Sequence, residues 1–119
     1  ILGATYAYMG TSVIATTESM ADQRYKDMVV AASGKDIICS DAITGVKANW
    51  LRESLQQAGY DPDDMPPAGA IDVIKAASDT KRWRDIWAAG QGVGSIDKVQ
   101  SIAALVDQLE NEYREACAA

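Results

Sequence analysis

Apolar residues recur along this chain at helical spacing more often than they alternate. The clearest run is Val99, Ile102, Val106, Leu109, Tyr113 and Ala116, with Lys98, Asp107, Glu110, Asn111 and Arg114 on the other faces. That pattern predicts a surface helix over 97–116 with one buried stripe. Asp97 is its expected cap, with Gln100 three residues on as a variant capping box. An earlier set, Ala21, Tyr25, Met28, Val29 and Ala32, predicts a helix from Ser19 to about Ser33. Ser19 caps it, Asp22 adds negative charge in its first turn, and Gly34 ends it. Ala48, Leu51, Leu55 and Ala58 predict a third helix over 46–58, capped by Thr44 and closed by Gly59. Trp50 falls off its inner line and is expected against a neighbouring element or at an interface. Ile71, Ile74 and Ala77 predict a short helix over 70–77.

Extended signals are fewer. Residues 5–9 read as a short buried strand that stops at Gly10-Thr11, followed by a turn and a second extended piece at 13–15. Ile37-Ile38-Cys39 is a short buried strand or link, and Asp41-Ala42-Ile43-Thr44-Gly45 is rich in turn formers. Residues 60–69 hold all three prolines and form a loop by composition. The strand at 5–9 has no evident partner in this chain. Buried backbone groups need partners, so its sheet neighbours are expected in sequence outside this stretch or in another chain. The chain opens on Ile1 and goes directly into that strand, which reads as a cut through a larger protein.

Two glycine-bearing places could carry chemistry. A glycine directly after a strand marks close approach by a backbone or a ligand, and N–H groups at such a turn can hold a phosphate. A purely structural turn is the other reading of Gly10-Thr11. Gly90-Gln91-Gly92-Val93-Gly94 fails the dinucleotide spacing, because Ser95 stands three beyond Gly92. It is either a tight loop near a cofactor edge or another loop, or the approach to the last helix.

Composition narrows the classes. The 119 residues suggest one domain by length. The net charge is −6, from 17 acidic and 11 basic residues, which argues against nucleic acid as a partner. The tightest basic group, Lys81-Arg82-Arg84, reads as a solvated loop or a phosphate contact. No apolar run is long enough for a membrane-spanning helix. Cys39 is expected as a core thiol and Cys117 in a frayed tail; neither has metal-ligand spacing, and both suggest a reducing, cytoplasmic setting. The chain has no histidine, so the commonest general base is missing. Asp41 is the one carboxylate in a candidate loop and reads as a turn or cap residue. No catalytic residue is assigned within this chain, and no metal site.

Three segments together resemble the nitronate monooxygenase family, formerly called 2-nitropropane dioxygenase. They are Gly3-Ala4 with Tyr8-Met9-Gly10-Thr11, Ala15-Thr16 and Glu18; Asp41-Ala42-Ile43-Thr44-Gly45-Val46; and Ile86-Trp87-Ala88-Ala89-Gly90-Gln91-Gly92-Val93-Gly94-Ser95-Ile96-Asp97. The flavin-dependent enoyl-acyl-carrier-protein reductase is a relative with the same elements. The resemblance covers nearly the whole chain, in order.

The resemblance implies a mainly α piece with one or two short strands, the C-terminal part of an FMN-binding TIM barrel with its inserted helical region. Residues 1–17 would be the last barrel strand and phosphate-binding turn, 18–82 the inserted helices, and 83–119 the glycine-rich loop and closing barrel helix. Active sites of such barrels lie at the C-terminal ends of the strands, where Gly10-Thr11 would stand. Met9, Gly10 and Thr11 match the family's contact to the flavin phosphate, and Gln91 sits in a loop expected near the flavin. Ser12-Val13 departs from the Arg-Phe often found there, so a charged contact is not carried over. The implied reaction is oxidation of alkyl nitronates, with FMN and O2, to a carbonyl compound and nitrite; the small-molecule partners are a nitronate or nitroalkane and O2. Copies covering the exposed strand would make a homo-oligomer. The alternatives are an FMN-dependent enoyl-thioester reductase and a non-catalytic helical interaction module. This chain by itself is expected to be inactive and to hold FMN weakly or not at all.

Overall fold

A small hairpin organises the middle of the molecule. The computed structural model describes residues 3–69 and 82–119, so the helix expected over 70–77 and Lys81 lie outside the described residues. Strand β1 (Ile37–Ser40) pairs antiparallel with β2 (Ala48–Leu51), Ile37 opposite Leu51 and Ser40 opposite Ala48. The helix expected over 46–58 is therefore a strand followed by a short helix, α3 (Arg52–Gln57). The cause is the turn ahead of it and the strand pairing that the turn permits. Gly45 adopts φ 77° and its N–H bonds the Asp41 carbonyl at 2.8 Å, which returns the chain onto β1. Thr44 caps no helix; its hydroxyl bonds locally to Val46 within that turn.

Trp50 then points into a core rather than off a helix. It is buried with Leu55 and Ile86, and Ile38, Ile43, Ala48 and Tyr60 pack on this cluster. Its indole N–H donates to the Ser40 carbonyl at 3.1 Å, which satisfies the polar edge of a buried ring. Cys39, expected inside, is exposed, because it sits between inward-facing neighbours on a four-residue strand whose side chains alternate.

Helix α2 (Gln23–Ala31) is capped by Asp22, which accepts the Arg24 N–H at 2.9 Å. Ser19 lies further back and accepts from Ala21 N–H. The helix stops at Ala31, before Gly34, because the next segment has its own hydrogen bonds. The Asp36 carboxylate accepts both the N–H and the hydroxyl of Ser33 at 2.8 Å, a local arrangement that competes with helix continuation. Met28 and Val29 carry the buried face, with Ala15, Leu51, Trp87, Ala89 and Val93. Buried Lys26 reaches the Ser19 carbonyl at 2.8 Å.

Residues 5–9 form no strand in this chain. They are exposed, Tyr6 at 91% and Tyr8 at 104%, because no ladder partner is present among the described residues. The extended piece expected at 13–15 is instead one helical turn, α1 (Thr11–Ile14), in which the Val13 and Ile14 N–H groups share the Gly10 carbonyl. After a further single turn, α4 (Arg82–Asp85), the chain enters the glycine-rich segment. The last helix, α5, spans Ile102–Ala118, starting later than expected. Gln100 is held extended beside residues 15–17 by bonds to Ala15 and Thr17, so Asp97 cannot cap a helix. Ser101 does so, accepting the Ala104 N–H at 3.1 Å. None of the expected stripe is fully buried: Val99, Ile102 and Leu109 are half-buried, Val106 is 55% and Tyr113 69% exposed, and the helix's buried residue is Leu105, which lies outside that stripe. Cys117 belongs to this helix and is exposed. Among the described residues, no helix is long and apolar enough to cross a membrane.

Candidate functional site

The segment Ala88-Ala89-Gly90 is held by three successive hydrogen bonds from three different elements. The Tyr25 phenol of α2 donates to the Ala88 carbonyl. The Ala89 N–H donates to the Asn49 carbonyl of β2 at 3.3 Å. The Gly90 N–H donates to the Thr11 hydroxyl oxygen of α1 at 2.9 Å. Just before them, Trp87 is fixed by its N–H to Ser54 Oγ at 3.0 Å and by Leu51 N–H to its carbonyl at 2.8 Å. Its ring stacks on Tyr25 with centroids 5.0 Å apart and planes 9° from parallel. The Arg24 guanidinium lies 5.4 Å from the Trp87 ring centre. Burial raises the Tyr25 pKa above its ordinary value, so the phenol stays protonated and able to donate at neutral pH.

These contacts surround an open cleft of about 320 Å³, lined by Gly10, Thr11, Ile14, Tyr25, Asn49 and Ala88–Gly90. The close approach at Gly90 is tight. A β-carbon there would stand 3.4 Å from the Thr11 hydroxyl oxygen, so a side chain would crowd the contact. At Gly10 a β-carbon would meet nothing within 4 Å; that face of the backbone opens on free space. The Thr11 hydroxyl accepts from Gly90 and gives its own hydrogen to no acceptor among the described residues. It can therefore donate outward. The donor set suits an anionic oxygen, and among the described residues no Lys or Arg lines the cleft.

Of the residues expected in the site, Gly10 and Thr11 line this cleft. Gln91 is its immediate neighbour, exposed at the start of a 3-10 turn over Gln91–Ser95. Met9 faces elsewhere, into a separate hollow of about 120 Å³ shared with Ala15, Gln100 and Leu105. The glycine-rich loop also meets another loop: a β-carbon on Gly94 would lie 3.8 Å from the Gly34 nitrogen, and Val93 is fully buried beneath it. Tyr25 and Asn49 were missed as site residues. Tyr25 counted as part of an apolar helix face, and Asn49 was hidden by the assignment of its strand to a helix. Asp41 serves the hairpin turn through its carbonyl. Among the described residues, no group of three His, Cys, Asp or Glu side chains could hold a metal ion.

The likeness to known proteins covers nearly the entire chain. It is 28% identical over 123 residues to a nitronate monooxygenase of Paraburkholderia phytofirmans, a match covering 97% of this chain and 33% of that protein. It is 27% identical over 126 residues to a protein of Mycobacterium tuberculosis named as a monooxygenase, covering 94% of this chain and 34% of the other. The solved structure of a FabK mutant from Thermotoga maritima superposes with a TM-score of 0.66 at 22% identity, over 92% of this chain and 34% of that one. No family model matches. The chain thus has distant homology to this group of proteins and spans about a third of the length of the curated relatives it matches. Its helices and two-stranded sheet share the fold of part of the Thermotoga protein.

Proposed function

We propose that this chain supplies the flavin-phosphate end of an FMN-dependent oxidoreductase that oxidises alkyl nitronates with O2 to a carbonyl compound and nitrite. The observation that carries the reading is the 2.9 Å bond between Gly90 N–H and the Thr11 hydroxyl. It joins two segments, far apart in sequence, that both carry the family resemblance. In this reading residues 5–9 are the last strand of a TIM barrel, whose neighbours on either side would supply the ladder partners that strand lacks here. Gly10 presents bare backbone and Thr11 presents a hydroxyl hydrogen to phosphate oxygens. Ala88–Gly90 forms the wall that fixes the hydroxyl's direction, and Gln91 approaches the flavin from the same loop. Met9 faces the neighbouring hollow, so any contribution from it runs through its backbone.

FMN, when bound, supplies the electron transfer from the nitronate; the protein's part is to bind, orient and shield it. No described residue of the cleft is an evident catalytic base, so proton chemistry in this reading falls to groups outside the cleft. The same cleft would serve an FMN-dependent reductase of enoyl thioesters, and the fold shared with the Thermotoga protein keeps that second reading alive.

The test uses the intact protein. A flavin absorbance spectrum, identified as FMN after release, with turnover of propyl nitronate under air, is the expected result. Turnover of crotonyl thioester with NAD(P)H instead would favour the reductase. Colourless protein that takes up no added FMN would overturn both and favour a non-catalytic helical interaction module.

A further inference from the structure

Asn49 has a place in the cleft that the phosphate reading leaves unused. Its backbone is committed, because its carbonyl holds Ala89 N–H at 3.3 Å. Strand pairing opposite Cys39 and the bridge from its neighbour Trp50 to Ala88 fix it further. Its carboxamide is not committed: it makes no hydrogen bond to any described residue, although Asn49 is half-buried and lines the cleft beside Thr11. It is also not a stranded group, since no buried side-chain nitrogen or oxygen lacks a partner among the described residues. The carboxamide is thus solvated and available, carried by a strand rather than by a mobile loop. The remaining lining side chains are the Thr11 hydroxyl, the already engaged Tyr25 phenol, and aliphatic groups.

We propose that the Asn49 side-chain amide donates to the phosphate of the ligand in this cleft, and so sets its preference for FMN over the unphosphorylated flavin. The inference rests on the flavin-phosphate reading above. Its physical basis is that no cation lines the cleft among the described residues. An anion held only by neutral donors depends on each of them, and a hydrogen bond to a charged group is worth more than one between neutral groups. The strand fixes the Asn49 backbone, so only the side-chain torsions remain to be ordered on binding.

The experiment measures the affinity of the intact protein, stripped of flavin, for FMN and for riboflavin by fluorescence quenching. Asn49→Ala should weaken FMN binding about tenfold and leave riboflavin unchanged. Asn49→Asp is nearly the same shape and places a negative charge beside the phosphate. It should weaken FMN about a hundredfold and again spare riboflavin, with an unchanged circular dichroism spectrum. If both variants bind FMN like the wild type, or lose FMN and riboflavin equally, the inference is overturned and the flavin reading stands. If the wild-type protein binds neither flavin, the flavin reading fails and this inference with it.

Discussion

The Gly90 N–H lies 2.9 Å from the Thr11 hydroxyl oxygen, and this one bond ties the first helical turn to the glycine-rich segment. Thr11→Val keeps the shape and removes the acceptor, leaving a partly buried N–H without a partner. The expected loss is about 1 kcal/mol, and up to about 3 kcal/mol if water cannot reach the group. Thr11→Ser should retain most of the stability. Urea midpoints of the three proteins, with m-values compared to confirm a common unfolded state, check the prediction. Equal midpoints for Val and wild type would mean that the bond contributes nothing.

Glu18 ties the N-terminus of α5 to the lead-in of α2. Its carboxylate accepts the Thr17 hydroxyl at 2.8 Å and the Ile102 N–H at 3.0 and 3.1 Å. The Thr17 hydrogen bond, followed by the Ile102 N–H, lowers its pKa below the ordinary carboxylate value. A depressed folded pKa contributes stability above the unfolded value that is lost as pH falls through the folded one. Glu18→Gln should therefore destabilise at neutral pH and flatten the acid limb of the stability profile. Chemical denaturation from neutrality down through the carboxylate range tests this; a variant with an acid limb identical to wild type would count against it.

Trp87 stacks on Tyr25 and is 6% exposed. Trp87→Ala should cost about 3–5 kcal/mol, as for other buried aromatic truncations. Trp87→Phe, which preserves a ring for Tyr25 to stack on, should cost clearly less. Thermal melts followed by far-ultraviolet circular dichroism give the comparison, and similar losses for both variants would show that the stack is not the stabilising feature.

Gln91 is exposed, and Gln91→Ala should leave folding stability within about 0.5 kcal/mol of wild type. Any loss of flavin affinity in this variant would then report a direct contact. Isothermal titration with FMN, paired with a denaturation curve, separates the two effects.

Helix existence was legible for α2 and α5, because their apolar spacing is long and regular. Their starts were not. Ser19 and Asp22 are both good caps by type, and the structure puts the helix start at Asp22, whose backbone leaves the helical region at ψ 142° while its carboxylate accepts the Arg24 N–H. At Leu51 and Leu55 the i, i+4 spacing fits a helix, yet the two residues flank a strand-to-helix junction. The deciding interaction is the return of β2 onto β1, between residues eight to fourteen apart, which the apolar spacing within 46–58 does not show. The same pairing hid Asn49. Gly10 and Thr11 were legible as a candidate site through their turn chemistry and the family resemblance. Tyr25 and the wall at Ala88–Gly90 joined them only in three dimensions.

The placement of Trp87 immediately ahead of Ala88–Gly90, in face-to-face contact with a tyrosine that lines the cleft, gives the molecule a native optical probe. A yellow isoalloxazine seated nearby would accept its excitation energy, so occupancy could be followed as dimmed ultraviolet emission with no attached dye. Even a small anion that shifted the Tyr25 ring would alter the indole's surroundings and hence its emission maximum.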